Sequence, residues 1–282
     1  MRTLFFSLLF VWGISLLPPT YAQTSNQKIL KQLDEVIAQK GKYRNEREEA
    51  IEQLKQRLHY ASNNEEKYKL CGELFNLYLH YQADSASLYI KRKEYYNSLQ
   101  RHPDWDIEIM INHAEVRGVM GMYNEALAEL QAINPHQLNS PNKEYYYSTI
   151  KACYGWMADN TVDKTVQEKY LRQTALYRDS LLEITSQNHN HPIILAEKLI
   201  LEGNPDKAIP LLNKLLTSSL DQQRKTYAYY TLSLAYEAKK DTDMEVYYLA
   251  QTAILDLTSS VREYAALQRL ARLVYHQGNP ER

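Results

Sequence analysis

The sequence predicts an all-α chain, a right-handed α-solenoid of helical hairpins. Three observations lead there. The 282 residues include 8 Gly, 9 Pro and only 9 Val, while Leu, Ala, Glu, Lys and Gln abound, a composition that favours helix throughout. Apolar residues recur at steps of three and four over most of the chain. Three segments also align without a gap: Gly121-Met122-Tyr123-Asn124-Glu125-Ala126-Leu127 through Leu130, Gly203-Asn204-Pro205-Asp206-Lys207-Ala208-Ile209 through Leu212, and Gly278-Asn279-Pro280-Glu281-Arg282. Each follows an amphipathic run. Gly leaves a helix through the left-handed region, and a pair such as Asn-Pro starts the next one.

Charge excludes one class of function. With 33 basic against 34 acidic side chains and no long basic run, the chain has no source for sequence-independent attraction to phosphates, so no nucleic-acid partner is expected.

Residues 1–22 read as a signal peptide. Arg2 supplies positive charge, Leu4 to Leu17 form a 14-residue apolar stretch, and Pro18-Pro19 precede Thr20-Tyr21-Ala22. That stretch is shorter than the roughly 20 residues of a membrane span, so cleavage after Ala22 is expected. Residues 23–62 carry two apolar stripes, Ile29, Leu30, Leu33, Val36, Ile37 and then Ile51, Leu54, Leu58, with Gly41 between them. These helices are expected to cap the near end of a repeat array over 63–282.

The first repeat places Tyr68, Cys71, Leu74, Phe75 and Tyr78 on one helical face, with Asp84-Ser85 as cap of a second helix carrying Ala86, Tyr89 and Tyr96. The unit from Lys143 through Leu182 is stretched. Gly121 and Gly203 stand 82 residues apart, so longer helices or an irregular turn at Asp159-Asn160-Thr161 are expected. Gly203 to Gly278 spans 75 residues and accommodates one further unit, with Tyr229, Leu232 and Tyr236, the turn Lys240-Asp241-Thr242, and Leu249. The step of about 37 to 38 residues is that of helical-pair solenoids. Val261 to Tyr275 form a last first-helix, with Tyr264, Leu267, Leu270, Ala271 and Val274 inward and no second helix following, so a longer protein is expected.

The pattern resembles the tetratricopeptide repeat. Met110, Ala114, Gly121, Tyr123, Ala126 and Leu130 match its signature in one unit, Ala196, Gly203, Ala208 and Leu212 in another, and Tyr229, Leu232, Ser233 and Tyr236 in a third. The small residues let two helices cross closely. Glu245 departs from the signature by standing where Ala is expected. Together with Leu33-Asp34-Glu35-Val36-Ile37, Ile51-Glu52-Gln53-Leu54-Lys55 and Leu74-Phe75, the chain resembles a family of exported bacterial tetratricopeptide proteins. In that family a signal peptide and repeat domain precede one membrane span, a coiled coil and a cytoplasmic domain described as a transcriptional regulator. The resemblance implies a sensor half lying on the periplasmic side of the inner membrane.

Reactive chemistry is sparse. Gly118 with Gly121 is the nearest approach to a phosphate-cradling loop and is better explained as a repeat turn. His189 and His191 lack a third metal ligand, and Asp104, Asp106 and Glu108 lack the Gly and distant Glu of a calcium loop. After Pro103 these acids suit the first turn of a helix. Cys71 and Cys153 lie in apolar helical stretches and are expected to be buried free thiols. No metal, no cofactor and no catalytic residue is expected.

Tyrosine stands out, with 24 against 4 Phe, most of them expected to pack. In repeats of this type the first helices line a concave groove. The positions concerned are Glu108, Ile111 and Glu115, then Tyr145, then Glu197, then Tyr227, Tyr230 and Glu237. Such an aromatic, acidic groove favours basic or amphipathic peptide or protein ligands. The expectation is a binding or sensing scaffold rather than an enzyme. Two alternatives are an exported helical carbohydrate-binding protein and a helical-barrel glycosidase, the latter needing a carboxylate pair in a central cavity.

Overall fold

A computed structural model of the chain describes residues 21–276 apart from 187, 189 and 263. Nearly all of the expected signal peptide, the turn Gly278-Asn279-Pro280 and His189 lie outside the described residues. Among the described residues there are thirteen α-helices and no strand. Two long helices come first, α1 (Tyr21–Ala38) and α2 (Lys40–Tyr60). Five hairpins follow: α3 (Asn64–Leu79) with α4 (Ala83–Gln100), α5 (Pro103–Val119) with α6 (Tyr123–Gln131), α7 (Ser140–Asp159) with α8 (Lys164–Ile184), α9 (His191–Leu201) with α10 (Pro205–Leu216), and α11 (Gln222–Ala238) with α12 (Thr242–Thr258). Helix α13 (Ala265–His276) then packs on α12. Each hairpin stacks on the next, which makes the molecule an α-solenoid.

The turns follow the chemistry of their residues. Gly121 and Gly203 adopt φ of +82° and +75°, in the left-handed region that glycine enters without steric cost. At the corresponding turn of the fifth hairpin Lys240 takes φ +59°, and the Asp241 carboxylate accepts the Met244 N–H at 3.1 Å to start α12. Pro103 begins α5, with Asp104 and Asp106 in its first turn beside the positive end of the helix dipole. One expected cap is replaced. Gln82, not Asp84 or Ser85, precedes α4, and Asp84 lies within its first turn.

Small residues sit where helices cross. Ala114, Ala126, Ala196, Ala208 and Ser233 are completely buried. Gly118 extends the rule, since a Cβ there would lie 2.6 Å from the Trp156 ring and 3.2 Å from the Cys153 sulfur. Its role is close approach of α5 to α7. The Glu245 departure is compensated: its carboxylate is buried but accepts from Arg269 of α13 at 2.8 Å, and Arg269 also pairs with Glu237 at 2.8 Å. The stretched unit consists of long helices, 20 residues in α7 and 21 in α8, against 11 and 12 in α9 and α10.

The core runs along the stack as successive apolar clusters. One joins α2 to α5, a second α5 to α8, a third α9 to α12. Cys71 lies in the first and Cys153 in the second, both as free thiols, and burial pushes them up to about 11 and about 12. Between α7–α8 and α9 the link includes polar pairs: Lys151 with Glu197 at 2.5 Å, Lys198 with Asp179 at 3.1 Å, and Asn190 donating to Glu144 at 2.7 Å.

The N-terminal helices depart from the expected arrangement. Helix α2 does lie on α3 at the near end, but α1 packs on α12 at the far end. Ile29, Leu33 and Val36 of α1 share one apolar cluster with α12 and α13. The Arg47 guanidinium on α2 donates to the carbonyls of Leu77 and Ser259, the Arg262 N–H donates to the His80 carbonyl at 2.8 Å, and the Arg262 guanidinium lies over the Tyr81 ring. Helices α1 and α2 therefore tie the last hairpin to the first.

Candidate functional site

The densest polar arrangement lies where α3, α4, α5 and α7 meet. Helix α4 has a buried stripe of Ala86, Tyr89, Ile90, Lys93 and Asn97, so the helical period places a lysine in the interior. Lys93 has no exposed surface. Its ammonium donates to the Glu108 carboxylate at 2.5 Å and to the Asn112 side-chain oxygen at 2.6 Å, and it lies 4.7 Å from the centre of the Tyr68 ring. A buried ammonium requires such partners, because desolvation penalises its charged form. Burial holds the Lys93 ammonium below the ordinary lysine range, and Glu108 opposes that shift.

Glu108, Asn112 and Glu115 share one face of α5, spaced by four and three residues. Tyr68 on α3 donates to Glu108 at 2.8 Å, and its ring stacks on Trp105 with centroids 3.9 Å apart. Asn112 donates to the Tyr145 oxygen on α7 at 2.7 Å, and the Tyr145 hydroxyl donates to Glu115. The polar chain thus runs from α3 through α4 and α5 to α7. Desolvation raises the Glu115 carboxyl to about 7, against the lowering effects of the Tyr145 hydrogen bond and the Lys93 charge. The Tyr145 hydroxyl is pushed well above its ordinary range by burial and by Glu115. Glu115 thus gains or loses a proton near neutrality, while Tyr145 stays a donor.

The other expected groove residues fall into separate groups. Glu197 on α9 pairs with Lys151. Tyr230 and Glu237 on α11 both approach Arg269. Tyr227 is 48% exposed, and its hydroxyl accepts from Gln223 at 3.3 Å. Ile111 is a correction: it is fully buried among Ala114, Leu130 and Ile150, and packs the core instead of lining a groove. The acidic character read from the sequence is also modified, since Glu108, Glu197 and Glu237 each meet a cation. Sequence reasoning missed Lys93 and Asn112, although both stand on apolar stripes where a polar residue signals a buried network.

Most tyrosines pack. Tyr147, Tyr154 and Tyr177 form one cluster between α7 and α8, and Tyr229, Tyr236 and Tyr248 another between α11 and α12. Among the described residues no group of three or more His, Cys, Asp or Glu side chains is placed to hold a metal ion. Among the same residues no helix is long and apolar enough to cross a membrane.

Stacked hairpins with an internally bonded polar seam define a helical-repeat scaffold. A family model described as the SusR N-terminal TPR domain matches residues 37–282, and the chain belongs to that family. No curated protein and no solved structure matches it. The family is one of tetratricopeptide-repeat domains, which serve as protein-interaction scaffolds.

Proposed function

We propose that this chain is the exported sensing segment of a membrane-spanning regulator of transcription, lying on the periplasmic side of the inner membrane. Its ligand is a basic or amphipathic peptide or protein segment, bound along the face formed by the first helices of successive hairpins. Membership of the SusR N-terminal TPR domain family supports the scaffold role. The observation that carries the ligand class is Glu115, whose bonded partner is the Tyr145 hydroxyl rather than a cation. A guanidinium or ammonium brought to Glu115 favours its ionised form, whereas the same group at Glu197 or Glu237 must displace Lys151 or Arg269. Engagement of several hairpins at once alters the packing between them, and that change is the signal.

Two experiments test this. Alkaline phosphatase fused after Arg282 is active only if the segment is exported, and an inactive but abundant fusion overturns the location. A fluorescent peptide of alternating Arg and apolar residues should bind more tightly as pH rises through about 7, and the Glu115→Gln variant should lose that dependence. Identical pH profiles for both proteins remove Glu115 from the binding face.

A further inference from the structure

Helix α1 makes its contacts far away in sequence. Gln39 alone separates it from α2, the two helices touch little beyond their junction, and a Cβ at the nearby Gly41 would meet nothing within 4 Å. From residue 27 to the end of α1, only Ile29, Leu33 and Val36 are buried, at 4–7% exposure, spaced i, i+4 and i+7. The rest of its surface faces solvent or is partly covered. The buried stripe meets Leu249, Ala250 and Ala253 of α12 in a cluster that also contains Leu270 of α13. Ala250 and Ala253 are the small members of that cluster and stand with the branched side chains of α1.

Hydrogen bonds at the two ends set the direction. The Asn26 side-chain amide donates to the Asp243 carbonyl at 2.9 Å, at the start of α12, while Arg47, early in α2, reaches the Ser259 carbonyl just past its end. Helix α1 therefore runs alongside and parallel to α12, as the second helix of a following hairpin would stack. It is an amphipathic helix whose buried stripe lies on an apolar face of α12 and α13.

We propose that α12, with α13, forms a helix-binding site of which α1 is the resident occupant, displaceable by an amphipathic helix of a partner protein. The resident defines what fits: branched apolar residues at i, i+4 and i+7, and a side-chain amide three residues ahead of the first to reach the Asp243 carbonyl. Displacement of α1 removes one of the ties between the two ends of the array and leaves those made by Arg47 of α2 and by Arg262. The inference rests on the protein-interaction reading but places a second site apart from the first-helix face around Glu115.

The test uses the whole chain and a labelled peptide of residues 26–39. Leu33→Asp in the chain expels α1 and frees the seat, so the peptide should bind this variant at least tenfold more tightly than the wild type. The same peptide carrying Leu33→Asp should lose at least tenfold. In the wild type, hydrogen exchange should open α1 faster than α12. Equal binding to both chains, binding to neither, global loss of helix in the Leu33→Asp chain, or α1 amides as protected as those of α12 would each make α1 a fixed part of the core and overturn the proposal. Such a failure with pH-dependent binding at Glu115 intact leaves the first-helix reading standing.

Discussion

At the scale of single residues, Glu115 shows how burial sets chemistry. Its carboxyl sits on the solvent-poor side of α5, where desolvation outweighs the hydroxyl and the nearby ammonium that favour its charge. The folded chain therefore holds this proton more tightly than the unfolded one. Stability from this group is fully present below the ordinary carboxyl range and is lost as pH rises through about 7. A shift of this size corresponds to about 3 kcal/mol. Denaturant melts at pH 5 and pH 8 should show that loss in the wild type and a much smaller one in Glu115→Gln; equal slopes with pH would contradict it. Repeat register placed Glu115 and Tyr145 on the first helices of neighbouring hairpins, and there the two meet. Lys93 was not legible, because a lysine is ordinarily assigned to a solvated face even when, as here, it occupies the buried stripe of Ala86, Tyr89 and Ile90.

At the scale of helices, the distances between neighbours decide which side chains are tolerated. Gly118 lets α5 approach α7 against Trp156 and Cys153. Gly118→Ala should lower stability by about 1–3 kcal/mol, since a rigid indole must move. A thermal midpoint unchanged from wild type would show that the ring gives way freely. Arg269 is the matching case for charge. Arg269→Ala leaves the Glu245 carboxylate buried without its partner and should cost about 3–5 kcal/mol, whereas Arg269→Ala combined with Glu245→Ala should cost distinctly less. Full additivity of the two would refute the coupling. Turns and small crossing positions were readable because glycine and alanine have few other reasons to recur at that spacing. The Glu245 departure was visible too, but its partner was not, since Arg269 lies 24 residues away on another helix. Ile111 was misplaced for a related reason. Register marks which turn of a helix faces the groove, but rotation by a fraction of a turn moves a residue into the core, and only packing against Leu130 and Ile150 fixes that rotation.

At the scale of the whole molecule, the hairpins transmit contact from neighbour to neighbour, and α1 and α2 convert a stack with two ends into a circuit. The stack followed from local spacing. The circuit did not, because it joins Asn26 to Asp243 and Arg47 to Ser259, contacts separated by more than 200 positions for which no local period gives a signal.

The most direct measurement of this architecture is an intramolecular cross-link. With Asn26→Cys and Asp243→Cys introduced together, and the buried Cys71 and Cys153 left in place, mild oxidation should give a monomeric disulfide that migrates faster on a non-reducing gel, at low protein concentration and without loss of helix. Oxidation that yields only intermolecular dimers, or none, would mean that α1 does not lie along α12.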